Sequence, residues 1–129
     1  MSADFFAPGQ GGLPPAGPPL SAAVRVGDLV FTAGQVANDE RGDLVGEDDV
    51  AAQTEQVLRN VEAALGVAGA TIADVVKVTV WLRDVSDFAA MNEVYARWFP
   101  EPRPVRACVR AELMGSRLLV EIEATAAVG

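Results

Sequence analysis

Between Pro104 and Thr125 the chain reads PVRACVRAELMGSRLLVEIEAT, two runs that each alternate with a period of two around a Met-Gly-Ser break. That period marks a strand with one face against a core, because successive side chains point to opposite sides of the pleat. Val105, Ala107, Val109 and Ala111 share one face of the first run, and Arg106, Cys108, Arg110 and Glu112 share the other. In the second run Leu118, Val120, Ile122 and Ala124 oppose Leu119, Glu121, Glu123 and Thr125. As a hairpin turning at Met114-Gly115 or Gly115-Ser116, the pair sets the arginines and the single cysteine beside the two glutamates, since cross-strand neighbours share a face. Such a face is either an ion-paired surface, worth ~0.2–1 kcal/mol per pair, or one wall of a site.

The rest of the chain supplies what this strand pair packs against. AAVRVGDLVFTAG predicts a hairpin turning at Gly27-Asp28 and ending at Gly34, followed by a polar loop over 36–47. Val50, Val57, Leu58, Val61, Leu65 and Ala68 recur at helical spacing, with Asp48 and Asp49 at the N-terminus and Gly69 at the C-terminus. DVVKVTVWLRD alternates as a strand, with Val76, Val78, Val80 and Leu82 on one face. Ser86 and Asp87 open a second helix with an aromatic-rich stripe of Phe88, Met91, Tyr95, Trp98 and Phe99, stopped by Pro100 and Pro102.

Residues 1–20 carry Pro14, Pro15, Pro18 and Pro19, which forbid a helix and predict an extended or disordered arm ahead of a single domain over 21–129. The order β-β-α-β-α-β-β predicts an α+β fold, a mixed sheet with two helices on one face. The helix-free face then carries Lys77, Thr79, Trp81, Arg106, Cys108, Glu121 and Glu123, a mixture suited to an oligomer interface with polar pockets. Half of the 129 residues are apolar, which also favours a covered surface.

Composition removes several function classes. Eighteen acidic residues against ten basic ones give a net charge of −8, which repels nucleic-acid backbones and anionic membranes. There is no histidine and one cysteine, so histidine triads, zinc clusters and internal disulfides are excluded. The N-terminus lacks the basic and apolar segments of a signal peptide, and no apolar run approaches the roughly 20 residues of a membrane span. The expectation is a cytoplasmic protein.

Within the C-terminal pair, Arg106 offers a planar fork for a carboxylate, Glu121 a group to orient or deprotonate water, and Cys108 a small, soft wall. A nucleophilic Cys108 lacks a histidine base, although nearby arginines would lower its pKa. Asn92 interrupts the stripe of the second helix and reads as a cap or packing amide.

FTAGQV, QTEQVLRNVEAALGVAGATIADVVKVTVWLRD, FAAMNEVYARWF, PVRACV and VEIEA, in this order and spacing, resemble the reactive intermediate deaminase family, also called the YjgF or RidA family. The resemblance spans roughly Pro14 to Ala126. It implies a chorismate mutase-like fold assembled as a homotrimer with sites in the clefts between subunits. It also implies hydrolysis of short 2-imino or enamino acids to 2-oxo acids and ammonia, without metal or cofactor. Carried over by position, Arg106 clamps the carboxylate of a small metabolite and Glu121 handles the attacking water. Cys108 and the backbone at Gly34 line the pocket, with Asn92 nearby. Two positions depart from the family pattern: its usual GPYSQA is GPPLSA here, with Pro19 in place of the tyrosine, and Ala33 replaces the serine before the Gly-Gln pair. Loss of two hydroxyls predicts a less polar pocket end and a shifted substrate range. A second reading is a catalytically weak module that binds small 2-oxo or amino acids. A third is a ribonuclease or translation inhibitor, a label often attached to this family, against which the acidic charge argues.

Overall fold

The computed structural model describes residues 2–129 as a six-stranded sheet with two helices on one face. The strands are β1 (Ala3–Phe6), β2 (Ala23–Val26), β3 (Leu29–Thr32), β4 (Val75–Leu82), β5 (Val105–Arg110) and β6 (Val120–Ala127). Their spatial order is β1-β2-β3-β6-β4-β5. The helices are α1 (Val50–Val67) and α2 (Phe88–Trp98).

The longer helix, α1, begins and ends where local chemistry directs. The Ala52 N–H donates to Asp49 Oδ1 at 3.1 Å, so Asp49 is the N-cap of α1. At its far end Gly69 has φ +83°. The Ala70 N–H returns to the Leu65 carbonyl at 2.9 Å and the Gly69 N–H to that of Gly66 at 3.1 Å. This is a Schellman closure, which needs a left-handed residue and so favours glycine. The apolar stripe of α1, with Val57, Leu58, Val61 and Leu65 fully buried, packs over β6 and β3 and shares one core with Val78, Val80, Val120 and Ile122. Met91, Tyr95 and Phe99 extend the same core from the α2 end, while Phe88 is largely exposed.

The predicted β2–β3 hairpin forms in the predicted register, Val26 opposite Leu29 across Gly27-Asp28. The arm contributes more than a lead-in: β1 pairs antiparallel with β2, and Leu13 is buried in the core. In β4 a bulge between Val75 and Lys77 sends Val75 inward and leaves Val76 exposed, so Val76 does not share the core face of Val78, Val80 and Leu82.

The C-terminal hairpin does not form. β5 lies parallel to β4, Arg106 opposite Val78 and Cys108 opposite Val80, and β6 pairs antiparallel with the other edge of β4. A helix between β4 and β5 supplies the crossover that parallel neighbours need. The segment from Ala111 to Leu119 then carries the chain past the end of β4. It is anchored by Ala111 N–H to Leu82 O (3.1 Å) and Arg83 N–H to Leu119 O (3.0 Å). From α1, Gln53 donates to Arg117 O at 3.0 Å and accepts from Leu119 N–H at 2.8 Å.

Inserting β4 reverses the faces assigned to β5. Arg106 and Cys108 lie on the helix side beside core residues Val78 and Val80, whereas Val105 and Val109, 68% and 46% exposed, lie on the helix-free side. The helix-free face therefore carries Lys77, Thr79, Trp81, Glu121 and Glu123 as expected, but not Arg106 or Cys108. Phe31 and Leu29 join it from β3 and Phe5 from β1, all exposed.

Candidate active site

The residues singled out from the sequence fall into two groups on opposite faces. Across β4 the register runs Cys108–Val80–Ile122 on the helix side and Val109–Trp81–Glu121 on the other. Arg106 and Glu121 therefore point away from each other, on strands about 10 Å apart. The expected contact between the arginines of β5 and the glutamates of β6 does not exist within one chain.

The first group is built on α2 and β5. Phe88, Asn92 and Tyr95 stand at i, i+4 and i+7, one face of the helix. Arg106 Nη1 donates to Asn92 Oδ1 at 2.8 Å, and its Cζ lies 4.7 Å from the Tyr95 ring centroid and 5.8 Å from that of Phe88. One donor of five is used, so the guanidinium is held in plane by the amide and the rings while its other N–H groups remain available. No ion pair joins Arg106 to a carboxylate among the described residues. A cavity of about 250 Å³ opens beside it, lined by Asn92, Tyr95, Ala96, Arg103, Pro104 and Arg106. Asn92 is thus the residue that orients Arg106, not a helix cap.

Cys108 sits two residues along the same strand. Burial pushes its thiol pKa up, and the Arg106 charge offsets this only in part. A thiol shifted in that direction ionises less readily, which does not favour a nucleophilic role. Burial likewise raises the Tyr95 phenol, against the opposing charges of Arg106 and Arg103, and its hydroxyl has no hydrogen-bond partner among the described residues. Tyr95 reads from the sequence as core alone; the helical spacing that puts it beneath Asn92 was the available signal for its second role.

The second group is Gly34 and Glu121. The Gln35 N–H donates to Ile122 O at 2.8 Å and the Ile122 N–H donates back to Gln35 O at 3.1 Å, which locks the turn after β3 against β6. Gly34 then lies directly under the Glu121 carboxylate: a Cβ at position 34 would collide with Oε2 and come within 3.1 Å of Cδ. Any larger residue there would push the carboxylate aside. Burial, and secondarily the neighbouring Glu123 charge, lifts the Glu121 pKa above the ordinary glutamate value.

The turn is also held from α1, a feature the helical pattern did not distinguish from packing. Asn60, buried, donates to Val36 O at 2.9 Å and Asn38 O at 2.7 Å and accepts from Gln56 at 3.0 Å. Such a fully bonded amide fixes the loop beside Gly34.

The endoribonuclease L-PSP family profile matches residues 13–128. The chain belongs to this family, the YjgF/RidA family of reactive intermediate deaminases. It is 46% identical over 109 residues to a RutC family protein of Pyrococcus abyssi, covering 84% of this chain and 85% of that one. It is 39% identical over 111 residues to the 2-iminobutanoate/2-iminopropanoate deaminase of Salmonella typhimurium, covering 84% and 86%. Among solved structures, that of Escherichia coli TdcF with bound serine superposes with a TM-score of 0.87 at 33% identity, covering 98% of this chain and 99% of that one. The mixed α+β architecture is therefore that of the YjgF/L-PSP structures. Among the described residues no helix is long and apolar enough to cross a membrane.

Proposed function

We propose that the protein is a cytoplasmic, cofactor-independent deaminase that hydrolyses small 2-imino acids and their enamino tautomers to 2-oxo acids and ammonia. The observation that carries this reading is the division of its functional groups. One face holds a pre-oriented guanidinium without a carboxylate partner; the other holds a carboxylate of raised pKa pressed on a backbone turn. A substrate bearing both an anionic end and an electrophilic C=N carbon uses both. Because the two groups diverge within one chain, a site that unites them takes Arg106, Asn92 and Cys108 from one copy and Gly34 and Glu121 from another. The exposed apolar residues of the helix-free face support association, and the assembly we propose is a chorismate mutase-like homotrimer.

In this site Arg106 binds the substrate carboxylate through a charge-assisted pair. Glu121 accepts a proton from water as the water oxygen attacks the imine carbon, and the nitrogen takes up a proton from solvent to give a carbinolamine. The hydroxyl proton then leaves to solvent, the C–N bond breaks with its electron pair on nitrogen, and protonated Glu121 returns its proton to that nitrogen as ammonia departs. The enamino tautomer enters after protonation at carbon. Burial that holds the Glu121 carboxyl above its ordinary pKa makes it a better proton acceptor, as suits a group that both takes and gives a proton. Positioning a labile imine beside a held water accounts for the acceleration.

The test is ammonia release from freshly generated 2-iminobutanoate, with the assembly mass measured by light scattering. Release above the spontaneous rate, from a particle three times the 13.5 kDa chain, is expected. Saturable 2-oxo acid binding without turnover would instead make the protein a binding module, and a monomeric mass would remove the composite site.

A further inference from the structure

A groove of about 200 Å³ adjoins the Glu121 half of the site, between the proline-rich segment and the turn after β3. Its walls include Leu13, Pro14, Pro18, Leu20, Ala22 and Ala33, and it opens onto Gly34. Among the described residues no charged side chain lines it, in a chain where charged residues make up 22% of the sequence. The polar side chains among its described lining residues are Gln35 and Asn38. Gln35 is buried and turns its amide toward the carbonyl of Ala33, two residues earlier, at 3.5 Å.

Position decides what such a groove receives. The Glu121 carboxylate rests on Gly34, and Gly34 forms one end of the groove. The groove shares Gly34 with the Glu121 contact, so the substituent of a carbon attacked by water at Glu121 is assigned to it. Apart from Gln35, Asn38 and backbone groups the described wall is aliphatic and offers no cation, so a carboxylate placed there loses hydration without an ionic partner. The prolines lose little conformational freedom on binding, so the groove is largely formed in advance.

We infer that the groove is the side-chain pocket of the site and that the preferred substrates are 2-imino acids with a branched aliphatic side chain of about four carbons. This rests on the deaminase reading and names the substrate class within it. Each additional buried methylene is worth roughly three- to fourfold in affinity. An isobutyl group in place of ethyl adds two carbons and is expected to bind roughly tenfold more tightly.

The experiment is calorimetric titration of the full chain with two 2-oxo acids, 4-methyl-2-oxopentanoate and 2-oxobutanoate. It is repeated for Leu20→Asn and Ala33→Ser, each of which puts a polar group on the groove wall. The expected result is a preference of roughly tenfold for the branched acid in the unaltered protein, reduced at least threefold in each variant. Equal binding of the two acids, or a preference that neither variant changes, overturns the groove assignment and leaves the deaminase reading intact. Absence of Arg106-dependent 2-oxobutanoate binding overturns both.

Discussion

Replacing Arg106 separates a substrate clamp from an ordinary surface cation. In the folded chain its guanidinium makes one hydrogen bond, to Asn92, and stacks on Tyr95 and Phe88. Removing it leaves one amide oxygen to find water and forfeits cation–π contact of ~0.5–2 kcal/mol, a modest loss for the fold. The effect on ligand should be larger. A charge-assisted pair with a carboxylate in a partly desolvated cleft contributes ~1.5–3 kcal/mol, so Arg106→Ala should weaken 2-oxobutanoate binding roughly ten- to a hundredfold. Arg106→Lys keeps the charge but loses the planar fork and the stacking, and should also be impaired. Asn92→Ala keeps the guanidinium and frees its orientation, so it should fall between wild type and Arg106→Ala. The assay is calorimetric titration of each variant, with assembly mass and thermal unfolding measured on the same samples. Unchanged binding by Arg106→Ala in a correctly assembled protein would falsify the clamp and leave Arg106 as a stacked surface residue.

Glu121→Gln should retain 2-oxo acid binding while losing most hydrolysis, and wild-type kcat/KM should rise with pH through a midpoint above the ordinary glutamate value. The same shift bears on stability. A carboxyl whose folded pKa is raised holds its proton more tightly folded than unfolded, so stability falls as pH rises from the ordinary value through the raised one. Glutamine does not ionise, so the variant should have the higher Tm at neutral pH and match wild type in acid below that window; a Tm difference independent of pH contradicts this. Asn60→Ala strips two donors from the Val36 and Asn38 carbonyls and should lower the unfolding free energy by ~2–4 kcal/mol. A urea titration shifted by less than about 1 kcal/mol would show that water replaces the amide at little cost.

The sequence by itself determined most helix ends and turns that near neighbours along the chain govern, though not the bulge that exposes Val76. The α1 stripe, its Asp49 cap and its Gly69 stop, and the turn at Gly27-Asp28 all depend on residues a few positions apart, so their signals are local. Alternation also established correctly that Arg106 and Cys108 share one face of β5 and that Glu121 and Glu123 share one face of β6. It could not say which strand stands between them. Strand adjacency is a long-range choice, here made by α2 acting as a crossover and by Gln53 holding the segment from Ala111 to Leu119 across the end of β4. Because a pleat has only two faces, one inserted strand turned a predicted shared wall into two half-sites facing apart. The Gly34–Glu121 contact is equally non-local, since a bare glycine in a loop does not announce that a carboxylate 87 residues later will lie on it. Local periodicity assigns side chains to faces; only the packed sheet decides which faces meet, because pairing energies are won between segments far apart in the chain.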